Sequence, residues 1–171
     1  MGVKRLDESF FARDVLEVAP ELIGKILVRK FSSGETSYYR ITETEAYNGE
    51  SDLACHASKG RTKRTEVMYH KGGKVYVYLI YGMYWLLNFV TSDEQYPAAV
   101  LIRGIKGFSG PGRVGRALQL DQSFYGEDLG TSTRIWIEDD GQHFTTLTSK
   151  RIGVDYAGEW ANKLWRFKIE I

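Results

Sequence analysis

Two kinds of apolar pattern divide the chain. From Ser9 to Ala19 the sequence Ser-Phe-Phe-Ala-Arg-Asp-Val-Leu-Glu-Val-Ala spaces its apolar residues at helical intervals. Serine is a favoured helix cap, so the spacing predicts a helix over 9–19 that starts at Ser9. Pro20 then suits the opening of a second short helix through Leu22 and Ile23, because a first helical turn leaves its N–H groups unused. Beyond that point the apolar runs become short, β-branched and aromatic. Ile26-Leu-Val28 reads as a strand, Ser33-Gly-Glu35 as a turn, and residues 37–47 as the returning arm of a hairpin. Further strands are predicted at 75–80, 98–103, 134–138 and 164–171, with Asp139-Asp-Gly141 as a turn. The succession predicts an α+β fold, a single mixed domain over residues 1–171 with a curved, mainly antiparallel sheet and peripheral helices.

Residues 75–92 carry no charge and approach the length of a membrane span. Tyrosines, Gly82 and Asn88 interrupt that stretch, and Tyr76-Val-Tyr78 favours a strand at its start, so no membrane insertion is expected. A length of 171 residues is enough to bury one real core, and 43% hydrophobic with 26% charged residues is ordinary for a globular domain. The one cysteine, Cys55, allows no intramolecular disulfide, which fits a reducing compartment. With His56, His70 and His143 as the only histidines, a Cys-rich structural zinc site is excluded. The first residues reach acids early, hold no apolar signal-peptide stretch, and place Leu6 where a myristoylation motif needs Ser or Thr. These features together predict a cytoplasmic location.

Charge is low overall but uneven. Net charge is +1, yet Lys59, Arg61, Lys63, Arg64, Lys71 and Lys74 crowd one segment that contains a single acid, Glu66. Such a patch on a mildly acidic body can grip a few phosphates, or it can be solvated loop charge.

Chemistry concentrates between residues 41 and 88. Strand alternation sends Glu43, Glu45 and Tyr47 to one face, with neighbours on that face about 7 Å apart. A carboxylate one pleat from an aromatic ring can activate water beside a stacked base; the alternative is two exposed glutamates on a polar strand face. In Tyr76-Val-Tyr-Leu-Ile-Tyr-Gly-Met-Tyr84, Tyr76 and Tyr78 share a face, and Tyr81 before Gly82 falls where the strand ends and turns. An aromatic at such a tip can act as an outward wedge, whereas Tyr76 and Tyr84 also fit a plain aromatic core. Asn88, between Leu87 and Phe89, is an amide in apolar company and needs a partner there, either backbone or ligand. Stacking surfaces, a carboxylate and cations so close together point to a protein that extrudes a nucleobase from DNA.

Thr-Glu-Thr-Glu-Ala-Tyr47, His56, Lys-Arg-Thr-Glu-Val-Met68, the tyrosine run, Asn88 and Val-Leu-Ile-Arg103 resemble the alkyladenine (3-methyladenine) DNA glycosylase family. Gly-Pro-Gly-Arg113, Arg-Ile-Gly-Val-Asp-Tyr-Ala-Gly-Glu-Trp160 and Trp-Arg-Phe167 continue the likeness in the same order over nearly the whole chain. The resemblance implies a monofunctional, purine-specific enzyme of base-excision repair that needs no metal or redox cofactor and acts as a monomer on damaged double-stranded DNA. It implies Glu45 as the general base that activates water. Tyr47, His56 and Tyr78 would be the stacking walls, Asn88 the floor that obstructs the exocyclic amine of guanine, and Ala54 and Leu101 further lining. Tyr81 would enter the duplex with the help of Met83, Arg61 and Arg103 would hold the DNA backbone, and Glu43 would be structural. The family usually carries a longer helical excursion after the strand ending at Arg103, where this chain crosses with only residues 104–110, and a proline where Leu164 stands. A module that binds a flipped base without hydrolysing it is the competing class.

Overall fold

The computed structural model describes residues 2–171. In chain order its elements are β1 (Lys4–Arg5), α1 (Glu8–Phe11), α2 (Val15–Leu22), β2 (Ile26–Lys30), β3 (Thr36–Asn48), β4 (Val75–Ile80) and β5 (Tyr84–Val90). They continue with β6 (Ala98–Ile105), β7 (Phe108–Ser109), α3 (Pro111–Ala117), β8 (Ile135–Asp139), β9 (Leu147–Ser149) and β10 (Arg166–Lys168). Short 3₁₀ turns occupy His56–Lys59, Glu66–Tyr69, Gln122–Phe124 and Asp155–Asn162. The strands form one open sheet of order β1-β8-β2-β3-β6-β5-β4, with β10 added beside β3 and β9 beside β10. Every strand pairing among the described residues is antiparallel, so the α+β expectation stands. Among the described residues no helix is long and apolar enough to cross a membrane.

The 13-residue β3 is the spine of the sheet. Its first half pairs with β2, and its second half lies between β6 and β10. The register shifts between Ile41 and Glu43 and again between Glu43 and Thr44, an irregularity of the kind that re-aims side chains at a functional site. The helices pack on one side of this spine. α2 buries Val15, Val18, Ala19 and Leu22, the spacing of a single helical face, and Thr44 Oγ1 donates to the Ala19 carbonyl across the contact. α3 lies against β5 so closely that a Cβ on Gly115 would fall 1.9 Å from the Trp85 carbonyl oxygen.

The N-terminal helix expectation is corrected in three ways. The 9–19 segment is two helices, broken at Ala12, and the caps are Asp7 and Asp14, each of which accepts a backbone N–H two residues on. A carboxylate is at least as good a cap as a serine hydroxyl and also suits the positive end of the helix. Pro20 lies inside α2 near its end, where little helix remains to be disturbed, rather than opening a new helix. The C-terminal strand is shorter than expected, Arg166–Lys168 within 164–171, and Leu164 is exposed. The crossing after Arg103 is made by β7 folding back on β6 and running straight into α3, a helix that the sequence reading left out.

Candidate functional site

β3 presents Glu45 and Tyr47 two residues apart on one face, and the Tyr47 hydroxyl donates to Glu45 Oε1 at 2.8 Å. The Glu45 side chain is 0% exposed, which excludes the reading of a glutamate on a solvated strand face. Its other oxygen, Oε2, accepts the Ile152 backbone N–H at 2.7 Å, and Arg103 Nη1 stands 3.5 Å from Oε1. Burial raises the Glu45 pKa above the ordinary glutamate value, against the opposing pull of Arg103 and the two hydrogen bonds. Glu43, also buried, is engaged by Arg166 Nε at 2.6 Å and Arg103 Nε at 3.3 Å, consistent with a structural acid.

The Ile152 N–H is aimed by a joint beneath it. Arg151 and Asp52 form a bidentate ion pair at 2.7 and 3.0 Å, both side chains 0% exposed. Arg151 also donates to the Ala46 and Trp160 carbonyls. Asp52 accepts the backbone N–H groups of Asn48 and Ala54. The strand carrying Glu45, the loop carrying His56 and the loop carrying Ile152 are therefore tied at one point.

In front of Glu45 lies a cavity of about 370 Å³, a size ordinary for a small ligand. Tyr47, Ala54, His56, Tyr78, Asn88 and Leu101 line it, all of them expected from the sequence, together with Arg103, Ile152 and Tyr156. Glu45 stands immediately behind this wall, screened by Tyr47, Arg103 and Ile152. The His56 and Tyr78 rings meet edge-on with centroids 4.5 Å apart, and His56 Nδ1 lies 2.9 Å from the Tyr76 hydroxyl. Burial, followed by the charge of Arg64, lowers the His56 pKa to about 4, so its ring is neutral at neutral pH. Burial likewise pushes the Tyr78 phenol up to about 12. Asn88 sits opposite Tyr76 on β4 and opposite Leu101 on β6, and its amide donates to the Tyr76 carbonyl at 3.2 Å.

At the cavity mouth the β4–β5 hairpin turns through Tyr81 and Gly82, both at positive φ (51° and 66°), with the Met83 N–H bonded to the Ile80 carbonyl. A bulky residue rarely holds this left-handed backbone. Here the turn leaves Tyr81 87% exposed and Met83 62% exposed beside it. Tyr76 is buried as the core alternative has it, yet it also holds His56.

The two arginines expected at the DNA backbone occupy different settings. Arg103 faces inward to Glu43 and Glu45 at the cavity wall. Arg61 is exposed outside the cavity and bidentate to Glu66 at 2.9 and 2.6 Å. Ile152, Arg151, Asp52 and Tyr156 escaped the sequence reading as site residues. Three of them stand in the segments on which the resemblance rests, but a backbone N–H and a buried ion pair carry no local signature. A larger hollow of about 670 Å³ beside α1 and α2 shares no residue with this site. Its acids are engaged elsewhere: Asp7 caps α1, Glu21 meets Arg13 and Asp139 meets Lys25. No three His, Cys, Asp or Glu side chains gather to hold a metal ion among the described residues.

Known proteins share this chain almost end to end. A protein of Natranaerobius thermophilus called "Putative 3-methyladenine DNA glycosylase" is 43% identical, covering 96% of this chain and 95% of its own length. Proteins of the same description from Methanocella arvoryzae (45% identical, 95% and 90% covered) and Legionella pneumophila strain Corby (44%, 98% and 96%) match equally well. The family model described as methylpurine-DNA glycosylase matches residues 9–109 and 106–171. The chain therefore belongs to the methylpurine-DNA glycosylase family, DNA-repair hydrolases of the N-glycosyl bond.

Proposed function

We propose that this protein removes alkylated purines of the 3-methyladenine type from duplex DNA by hydrolysis at C1′, with Glu45 as the group that activates the water. Hypoxanthine and ethenoadenine belong to the same proposal as neutral substrates, whose departing base must gain a proton as the glycosidic bond breaks. The observation that carries it is the pairing of a buried, doubly hydrogen-bonded carboxylate with an aromatic cavity directly in front of it. Pure recognition needs no such carboxylate, and the names of the relatives point to the same chemistry.

Extruding a nucleotide costs a few kcal/mol, least when the base is damaged. Stacking against one aromatic returns about 1–3 kcal/mol. Tyr47 and Tyr78, with the neutral His56 ring, therefore offset the extrusion, and Tyr81 fills the vacated stack and slows return. Asn88 at the floor excludes the exocyclic amine of guanine. The sugar enters beside Tyr47, Arg103 and Ile152, the groups that screen Glu45. Its C1′ gains positive character as the base departs, and the Glu45 carboxylate stabilises that charge while taking a proton from water. Burial raises the pKa of Glu45, which makes its carboxylate a stronger base than an ordinary one. Among the described residues no lysine lines the cavity, in keeping with a monofunctional enzyme that leaves an abasic site and an intact backbone.

The test is chromatographic detection of free base from methylated duplex DNA, with chelator present, for wild type and Glu45→Gln. Wild type releases methylated purines; Glu45→Gln binds the damaged duplex and releases none. Undiminished release by the variant would refute the role of Glu45. Binding without release by both proteins would favour the recognition module.

A further inference from the structure

Three of the six cations of segment 59–74 are paired with acids in the fold, and one of the other three touches a wall of the cavity. Arg61 pairs with Glu66, Lys71 with Glu8 and Lys74 with Asp128. Arg64 has no carboxylate partner among the described residues. Its guanidinium carbon instead lies 4.9 Å from the centroid of the Tyr78 ring. Tyr78 lines the cavity, and Arg64 is not among the residues that line it.

We propose that Arg64 is a specificity residue that lowers the advantage of positively charged purines over neutral ones in this pocket. The inference rests on the glycosylase reading above. An aromatic face attracts a cation through its quadrupole, and an alkylated purine such as 7-methylguanine or 3-methyladenine is a cation. With a guanidinium already against Tyr78, the ring and the added positive charge offer a charged base less than a bare tyrosine would. A neutral base such as hypoxanthine stacks without that opposition. The other charges near the base do not cancel this effect. Arg103 is balanced by Glu43 and Glu45, and His56 adds no charge because burial and Arg64 hold it neutral. Arg64 is thus the one unbalanced cation in contact with a wall of the cavity among the described residues.

The experiment measures kcat/KM for release of 7-methylguanine and of hypoxanthine from one duplex sequence, for wild type, Arg64→Gln and Arg64→Lys. Arg64→Gln is expected to raise the ratio of charged to neutral base by about two- to fivefold, the scale of one exposed cation–π contact. Arg64→Lys, which keeps the charge, holds the ratio near wild type. Both substrates falling together in Arg64→Gln would mean that the residue grips a phosphate, and would overturn the proposal. An equal shift in Arg64→Lys would assign the effect to guanidinium stacking rather than charge, and overturns it as well. Failure of wild type to release either base refutes the glycosylase reading itself, an outcome distinct from an unchanged ratio.

Discussion

Asparagine in place of Asp52 isolates what the buried joint contributes. Each carboxylate oxygen of Asp52 accepts two donors: Oδ1 from the Ala54 N–H and Arg151 Nη2, both at 3.0 Å, and Oδ2 from the Asn48 N–H at 2.9 Å and Arg151 Nη1 at 2.7 Å. An asparagine keeps the shape but must turn an NH₂ toward two of those donors, and it leaves the fully buried Arg151 charge without its counter-ion. Breaking one side of a buried ion pair costs about 3–5 kcal/mol. In a chain of this size each kcal/mol lowers Tm by about 2–4 °C, so Asp52→Asn is expected to lose about 6–20 °C. Base release measured well below that transition should also slow, because Arg151 aims the next residue's N–H at Glu45 Oε2. Circular-dichroism melting and single-turnover release are the assays. The double variant Asp52→Leu/Arg151→Met removes both charges and should recover much of the lost Tm, since apolar replacement of a buried pair is often neutral. A Tm loss below about 2 °C in Asp52→Asn, or a double variant as unstable as the two single losses combined, would refute the reasoning.

Other consequences are as direct. Tyr81→Asn keeps the turn, because asparagine tolerates left-handed backbone, and should leave Tm unchanged while weakening binding to a damaged duplex by about 1–3 kcal/mol; unaltered affinity removes the wedge role. Gly115→Ala forces α3 away from the Trp85 carbonyl and should cost about 1–3 kcal/mol in denaturant unfolding, with a wild-type Tm as the contrary result. With Glu45 as the proposed base, the acid limb of the pH–rate profile should fall above the ordinary glutamate value, because burial raises its pKa. Such a raised carboxyl favours the fold fully below the ordinary value and loses that contribution as pH rises through the folded one. Glu45→Gln should therefore melt no lower than wild type at neutral pH. His56 should titrate at about 4 by NMR; its neutral form supports the fold above the ordinary histidine range, and that support is lost as pH falls toward 4.

Much of this architecture is written in local pattern. The β2–β3 hairpin and β4 follow from β-branched and aromatic runs bounded by turn residues, and the predicted Val75–Ile80 limits are those observed. β5 is not separable from the tyrosine run by pattern alone. Its buried sequence Leu-Leu-Asn-Phe-Val has no polar alternation, and the break is a single turn centred on Tyr81 and Gly82. α3, with glycines at 112 and 115, has poor helix propensity; it forms because those glycines let it lie on Tyr84 and Trp85.

The sequence by itself determined the residue types that line the cavity and their order along the chain, because strand period and turn chemistry act over a few neighbours. What became of each group was a tertiary decision. The N–H that holds Glu45 comes from 107 residues away, and Asp52 meets Arg151 across 99. Burial, which raises the Glu45 pKa and lowers that of His56, exists only once β3, β6, β10 and the loops close around them. The same packing paired Arg61, Lys71 and Lys74 with acids and left Arg64 on Tyr78, since ion pairs are chosen by proximity in the fold and not by spacing in the chain.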